Sequence, residues 1–88
     1  MLLLGGMGAE QRLAAFLLSL SRRYQKLGYA ETRFSLRMTR EEIGSYLGLT
    51  LETVSRLFSR FQKDGLIKAQ QREIELKNTD RLREKVGH

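Results

Sequence analysis

Residues 39–61, TREEIGSYLGLTLETVSRLFSRF, contain two short helical patterns that meet at a glycine. Thr39 and Glu42 match the S/T-x-x-E capping box, in which each side chain binds a free backbone amide at a helix start. Gly48 follows the first pattern where the chain must turn, and glycine reaches the positive φ values that such a turn requires. Thr50 is a candidate N-cap for the second helix. The stretch therefore predicts a helix-turn-helix.

Apolar residues recur at helical spacing in both halves of this stretch. Ile43, Tyr46 and Leu47 predict the buried face of the first helix. Gly44 is expected where the two helices cross, because it leaves room for close backbones. The buried stripe of the second helix consists of Val54, Leu57, Phe58 and Phe61.

The opposite face of the second helix carries a different set of side chains: Glu52, Ser55, Arg56 and Ser59. Arginine can donate two hydrogen bonds to guanine, glutamate can accept one from cytosine, and serine can do either. The two small serine side chains also allow the helix to approach base edges closely. This face suits the major groove of DNA, although an ordinary solvated helix surface has the same periodicity.

The segment resembles the DNA-binding helix-turn-helix of the cyclic-AMP receptor protein/fumarate–nitrate reductase regulator (Crp/Fnr) family, from about Ala9 to Leu76. Residues 52–56, ETVSR, are similar to the E-x-x-S-R recognition signature of the fumarate–nitrate reductase regulator branch. The cyclic-AMP receptor branch has an arginine just before the glutamate and a glycine before the later arginine. Leu51 and Ser55 occupy those places here. The resemblance therefore implies a TTGAT-type half-site.

The same resemblance assigns roles to individual residues. Glu52, Ser55 and Arg56 are expected to read bases, with a recognition helix at residues 51–64 in the major groove. A second group is expected to contact DNA phosphates: Thr39, Arg40, Thr50, Thr53 and Arg72. Helix N-termini favour such contacts because their dipole ends are positive. Capping alone would also account for Thr39 and Thr50.

The composition agrees with a nucleic-acid partner. The 88 residues are enough for one domain with a modest core. Sixteen Lys and Arg against ten Asp and Glu give a net charge of +6, which favours a polyanionic partner but does not by itself identify one. Cysteine is absent from the chain, so a disulfide, a thiolate zinc site and a cysteine-ligated iron–sulfur cluster are excluded within it.

The first part of the chain divides at Gly8. Residues 1–8, MLLLGGMG, are expected to be a flexible leader or, as the resemblance implies, the remnant of a dimerisation helix. They are too short and too glycine-rich for a signal peptide or a membrane span. Residues 9–88 are predicted to be the winged helix-turn-helix domain. Its first helix, 9–27, carries an apolar stripe and stops at Gly28; the stripe consists of Leu13, Phe16, Leu17, Leu20, Tyr24 and Leu27.

Strand patterns surround the helix-turn-helix. Alternation predicts strands at 33–38, 66–69 and 73–77, the last with Ile74 and Leu76 facing inward. The intervening residues 70–72, QQR, lack an Asn-Gly type turn signal. A last helix, capped by Asn78 or Thr79, is expected to reach Val86. The predicted fold class is mainly α with a small antiparallel β wing, a winged helix-turn-helix.

An enzyme is not expected. The only histidine is the terminal His88, and the glycines near the N-terminus lack the strand and lysine of a phosphate-binding loop. The carboxylate pair Glu41-Glu42 is explained by the capping box.

Two other binding functions are less favoured than DNA binding. A winged helix that docks proteins would favour apolar anchors on the recognition face, where Glu52, Ser55 and Arg56 stand instead. RNA binding would favour surface aromatics, of which the sequence offers only Tyr29 outside the apolar stripes.

The resemblance also bears on what lies outside this domain. Family members sense a signal through a separate N-terminal domain and dimerise through a long helix. We therefore expect no cofactor in this chain, with an iron–sulfur cluster or another effector in the sensor domain of a parent protein. Double-stranded DNA is the expected partner, with RNA polymerase and a homodimer in the full-length protein. Weak or no dimerisation of this chain, no membrane contact and a cytoplasmic location are also expected.

Overall fold

The computed structural model describes residues 8–30 and 32–87. Within them, the chain forms four helices and a small three-stranded sheet. In chain order the elements are α1 (Ala9–Lys26), β1 (Arg33–Ser35), α2 (Arg40–Leu47), α3 (Leu51–Lys63), β2 (Ile67–Gln70), β3 (Glu73–Leu76) and α4 (Thr79–Val86). The strands of the described residues are antiparallel in the order β1-β3-β2. The predicted fold class is confirmed.

The apolar stripe of α1 enters the core along most of its length. Leu13, Phe16 and Leu17 are buried, and Tyr24 stacks on Phe34 of β1 with ring centroids 5.3 Å apart. The prediction was wrong for Leu27, which is 65% exposed. The helix ends at Lys26 and Leu27 is already its C-cap, so the periodicity that buries the stripe no longer applies there.

The helix-turn-helix forms as predicted, with both caps in place. Thr39 Oγ1 accepts a hydrogen bond from the Glu42 amide at 3.1 Å, and Glu42 Oε1 accepts one from the Thr39 amide at 2.8 Å. Gly48 takes a left-handed φ of 73° at the end of α2. Thr50 caps α3 by accepting from the Thr53 amide at 3.1 Å.

Gly44 lies against a close backbone, as predicted: a Cβ there would lie 2.6 Å from the Leu49 carbonyl oxygen, in the turn that leads into α3. One residue of α2 differs from its predicted environment. Tyr46 was predicted to be buried and is 47% exposed. Its ring packs on Phe16 at a centroid distance of 5.7 Å, because it lies at the edge of the apolar stripe.

The predicted stripe of α3 is entirely buried: Val54, Leu57, Phe58 and Phe61. The helix ends at Lys63 with Asp64 as its C-cap, one residue before the predicted end. The Leu66 amide then donates to the Phe61 carbonyl oxygen at 2.9 Å, which closes the end of the helix before β2 begins at Ile67.

The wing is a hairpin of β2 and β3 joined by a two-residue turn. Gln70 pairs with Glu73, so Gln71 and Arg72 form the turn, and Gln71 has a left-handed φ of 56°. β1 is shorter than predicted, 33–35 against 33–38. Leu36 still binds the wing, since its amide donates to the Arg72 carbonyl oxygen at 2.7 Å, but the chain then leaves the sheet towards α2.

The ends of the described chain are held by short-range caps. Gly8 precedes α1 and its amide donates to Gln11 Oε1 at 2.8 Å. Asn78 caps α4 by accepting from the Arg81 amide at 3.0 Å, as predicted. The rest of the predicted leader, 1–7, and His88 lie outside the described residues. None of the helices within 8–30 and 32–87 is long and apolar enough to cross a membrane.

Candidate nucleic-acid interface

The exposed face of α3 presents unsatisfied hydrogen-bonding groups. Glu52, Ser55 and Arg56 are exposed, on the side of the helix opposite the buried stripe. Within the described part of the chain, their side chains make no hydrogen bond or ion pair. A carboxylate, a hydroxyl and a guanidinium are therefore available to a ligand on one rigid helix.

Leu51 adds an apolar group to the same end of α3. It is the first residue of the helix and 48% exposed. In the sequence, Leu51 distinguishes two family branches, but no local pattern predicts a contact for it. Since an aliphatic side chain can pack against the methyl group of thymine, the exposed N-terminal turn of α3 offers both polar and apolar contacts.

Three of the predicted phosphate contacts are threonines already engaged at helix N-termini. Thr39 and Thr50 accept from backbone amides of α2 and α3 respectively. Thr50 Oγ1 also donates to Thr53 Oγ1 at 2.9 Å. Capping therefore accounts for Thr39 and Thr50. The other amides of a first helical turn lack an intrahelical acceptor, and an anion is favoured at such a position.

Arg40 is less solvated than the sequence suggested. Its Nη2 donates to the Gln71 carbonyl oxygen at 3.0 Å, and its guanidinium carbon lies 4.1 Å from the centroid of the Phe58 ring. Partial burial lowers the pKa of the Arg40 guanidinium, although an arginine remains protonated throughout the physiological range. Sequence reasoning missed this arrangement, because 31 residues separate Arg40 from Gln71 and no local pattern links them.

Arg72 lies at the tip of the wing, as predicted. Its side chain is exposed and forms no hydrogen bond or ion pair with the other described residues. Its backbone carbonyl is bound by the Leu36 amide, so the residue is anchored while its guanidinium is available. Through Gln71 and Arg40, the wing tip is connected to the start of α2 and to the buried side of α3.

Catalytic chemistry finds no support in the described residues. No group of three His, Cys, Asp or Glu side chains could hold a metal ion there. An open groove between α1 and β1, of about 610 Å³, is lined by aromatic, aliphatic and arginine side chains, among them Arg23, Leu27 and Tyr29. Its lining contains no carboxylate, histidine or cysteine, so it lacks a general acid–base pair or an activated nucleophile.

Comparison with known proteins places these features in a family. A model of the Crp-like helix-turn-helix domain matches residues 11–85. The transcriptional regulatory protein btr of Bordetella pertussis is 64% identical over 83 residues, 94% of this chain and 34% of its own length. The fumarate and nitrate reduction regulatory protein of Escherichia coli K12 is 49% identical over 87 residues, 99% of this chain and 35% of its own length.

The fold agrees with a solved structure of similar sequence. FixK2 from Bradyrhizobium japonicum matches with a TM-score of 0.86 and 42% identity, covering 100% of this chain and 43% of that chain. The chain thus spans about a third of the length of the curated relatives it matches.

Proposed function

The chain belongs to the Crp/Fnr family of transcription regulators, of which it represents the DNA-binding helix-turn-helix domain, and we propose that it reads a TTGAT-like half-site with α3 in the major groove. The observation that carries the proposal is the exposed Glu52, Ser55 and Arg56 face, whose polar groups have no partner among the described residues. The Escherichia coli relative named for fumarate and nitrate reduction adds support at 49% identity.

Each group on this face has a chemical counterpart on a base edge. The Arg56 guanidinium can donate twice to guanine, the Glu52 carboxylate can accept from the amino group of cytosine, and the Ser55 hydroxyl fits either role. Leu51, exposed beside them, supplies an apolar contact for a thymine methyl group. A well-formed bidentate contact is worth about 1–3 kcal/mol of discrimination against the wrong base.

The phosphate contacts set the orientation of α3 without reading sequence. We assign them to Thr39 at the start of α2, to Thr50 and Thr53 at the start of α3, and to Arg72 on the wing. The Arg40 guanidinium, for which a phosphate contact was also predicted, is instead engaged by Gln71 and Phe58. Two helix N-termini and a free guanidinium support this assignment, because all three attract anions.

The wider functional setting follows from the length of the relatives. They are about three times as long as this chain, and we propose that a full-length regulator dimerises, contacts RNA polymerase and senses its signal through groups outside the residues considered above. A single domain engages one half-site and lacks the gain in affinity that two linked half-sites provide. Binding by the isolated domain is therefore expected to be weak.

The test is fluorescence anisotropy with a palindromic TTGAT-type duplex and a scrambled duplex, each at two salt concentrations. The wild-type domain is expected to prefer the first duplex, and Arg56→Ala is expected to abolish the preference while salt-sensitive binding remains. Arg60→Ala is the matched control, because it removes an exposed arginine from the same helix. Equal binding of both duplexes by the wild type would overturn base reading and favour a protein-docking function.

A further inference from the structure

Arg40 lies at the intersection of three elements. It is the first residue of α2, its Nη2 binds the Gln71 carbonyl oxygen in the wing turn at 3.0 Å, and its guanidinium covers the Phe58 ring of α3 at 4.1 Å. Phe58 is only 3% exposed, so this ring is fixed in the core. One side chain thus connects the wing turn to the recognition helix.

Both residues of the wing turn are held by contacts from outside the β2–β3 hairpin. Gln71 adopts a left-handed φ of 56°, a conformation that glycine or asparagine tolerates better than glutamine. Both residues of the turn have their carbonyl groups bound by the segment that runs from the end of β1 to the first residue of α2. Arg40 binds that of Gln71, and the Leu36 amide binds that of Arg72 at 2.7 Å.

The arginine side chain is suited to this double contact, and lysine is not. A guanidinium is planar, so it can donate at its edge while its face lies on an aromatic ring. A lysine ammonium preserves the charge but cannot keep both contacts with one rigid group. The partial burial of Arg40 also distinguishes it from the exposed Arg72.

We infer that Arg40 is a positioning residue, which fixes the wing tip relative to α3 and thereby sets where Arg72 meets the DNA backbone. The inference rests on the proposed function, since it requires Arg72 to contact a phosphate. It predicts that the effect of Arg40 on binding passes through Arg72 and does not depend on the charge of Arg40 alone.

A double-mutant cycle separates these roles. Arg40→Lys, Arg72→Ala and the double variant are compared by anisotropy on the TTGAT-type duplex, with Arg60→Lys as the control for an arginine-to-lysine change. We expect Arg40→Lys to weaken binding about tenfold, the order of one lost charge-assisted contact, and to add less than about twofold in the Arg72→Ala background. Losses that multiply in the double variant would overturn the inference.

The salt dependence gives a second readout. The logarithm of the DNA association constant falls linearly with the logarithm of the salt concentration. Loss of the Arg72 contact should make this negative slope less steep by about 0.9. Arg40→Lys should make the slope less steep by a similar amount, although this substitution removes no charge. An unchanged slope together with near wild-type affinity would mean that the charge of Arg40 suffices, and the positioning role would be rejected.

The free protein provides a test that does not involve DNA. Amide hydrogen exchange at Leu36, which donates to the Arg72 carbonyl, should be faster in Arg40→Lys than in wild type or Arg60→Lys, at unchanged exchange of the core of α1. Identical Leu36 exchange rates in all three proteins would refute the inference that Arg40 fixes the wing turn. A different outcome would separate the two proposals. If the wild type binds both duplexes equally but Leu36 exchange is faster in Arg40→Lys, the proposed base reading fails while the contact of Arg40 with the wing turn is supported.

Discussion

Lys85 of α4 donates a hydrogen bond to Glu10 of α1, with Nζ and Oε1 3.0 Å apart. The same ammonium group lies 5.6 Å from the centroid of the buried Phe61 ring. The contact joins the first and last helices of the described chain next to the C-terminal half of α3, and both partners are partly shielded from water. The packing of α1 and α4 against α3 therefore includes one ion pair.

This pair should make stability depend on pH. The hydrogen bond from Lys85 is the main cause that lowers the pKa of Glu10 below its ordinary value of 4.5. A carboxyl with a lowered pKa in the folded state contributes stability above its unfolded pKa and loses it as the pH falls through the folded value. Glu10→Gln should cost at most about 1 kcal/mol at pH 7, since the pair is partly exposed.

The measurement is the free energy of unfolding in urea between pH 7 and pH 3 for both proteins. The difference between wild type and Glu10→Gln should shrink as the pH falls towards 3. Glu84→Gln, which removes an exposed carboxylate outside the ion pairs of the described residues, is the control. A difference that stays constant across this range would contradict the assignment.

Gly44→Ala should destabilise the turn of the helix-turn-helix. The added Cβ would lie 2.6 Å from the Leu49 carbonyl oxygen, which belongs to the backbone and cannot rotate away. Overpacking of this kind costs about 1–3 kcal/mol. Urea denaturation of Gly44→Ala and of Ser45→Ala, an exposed neighbour in the same helix, checks the prediction. Equal urea midpoints for the two variants would show that the backbone of the turn shifts to accommodate the added Cβ.

Aspartate at position 39 should separate capping from phosphate contact. Asp is as good an N-cap as Thr, so Thr39→Asp should keep the stability that Thr39→Ala loses, about 1 kcal/mol. The added negative charge would repel phosphate, and DNA affinity should fall by about tenfold or more. Thermal denaturation and anisotropy on the same samples give both values. Full affinity in Thr39→Asp would place the start of α2 away from the DNA backbone.

Glu52→Gln should change which base is preferred and leave the fold intact. Glutamine pairs with adenine, whereas glutamate accepts from cytosine, so one position of the half-site should shift by about 1–3 kcal/mol. A panel of duplexes with single base changes in the TTGAT-type half-site measures this by competition. Gln62→Glu, an exposed change near the far end of α3, supplies the reciprocal control. An unaltered preference at every position would exclude Glu52 from base reading.

Local patterns predicted most of the scaffold from the sequence. The caps at Thr39 and Thr50 and the buried stripe of α3 depend on residues within a few positions of one another, so their spacing carried the information. Leu27 and Tyr46 were misplaced because periodicity neither marks the last turn of a helix nor measures the width of its buried face. Both errors lie at edges of otherwise correct elements.

The arrangement of the candidate interface was predictable only in part. The exposed face of α3 followed from the same periodicity that buries its stripe. The contact of Arg40 with Gln71 and Phe58 did not, because it brings together α2, the wing and α3 across long separations in sequence. Such a contact depends on the sheet register, which short alternating segments leave undetermined.

The left-handed glutamine at position 71 makes the shape of the wing turn depend on residues outside the hairpin. A turn of asparagine and glycine adopts the left-handed conformation by itself, whereas this turn is held in it by contacts with neighbouring elements. On the proposed function, substitutions of Arg40 or Leu36 should therefore alter how strongly the domain binds any DNA duplex, while the base preference set by α3 stays the same.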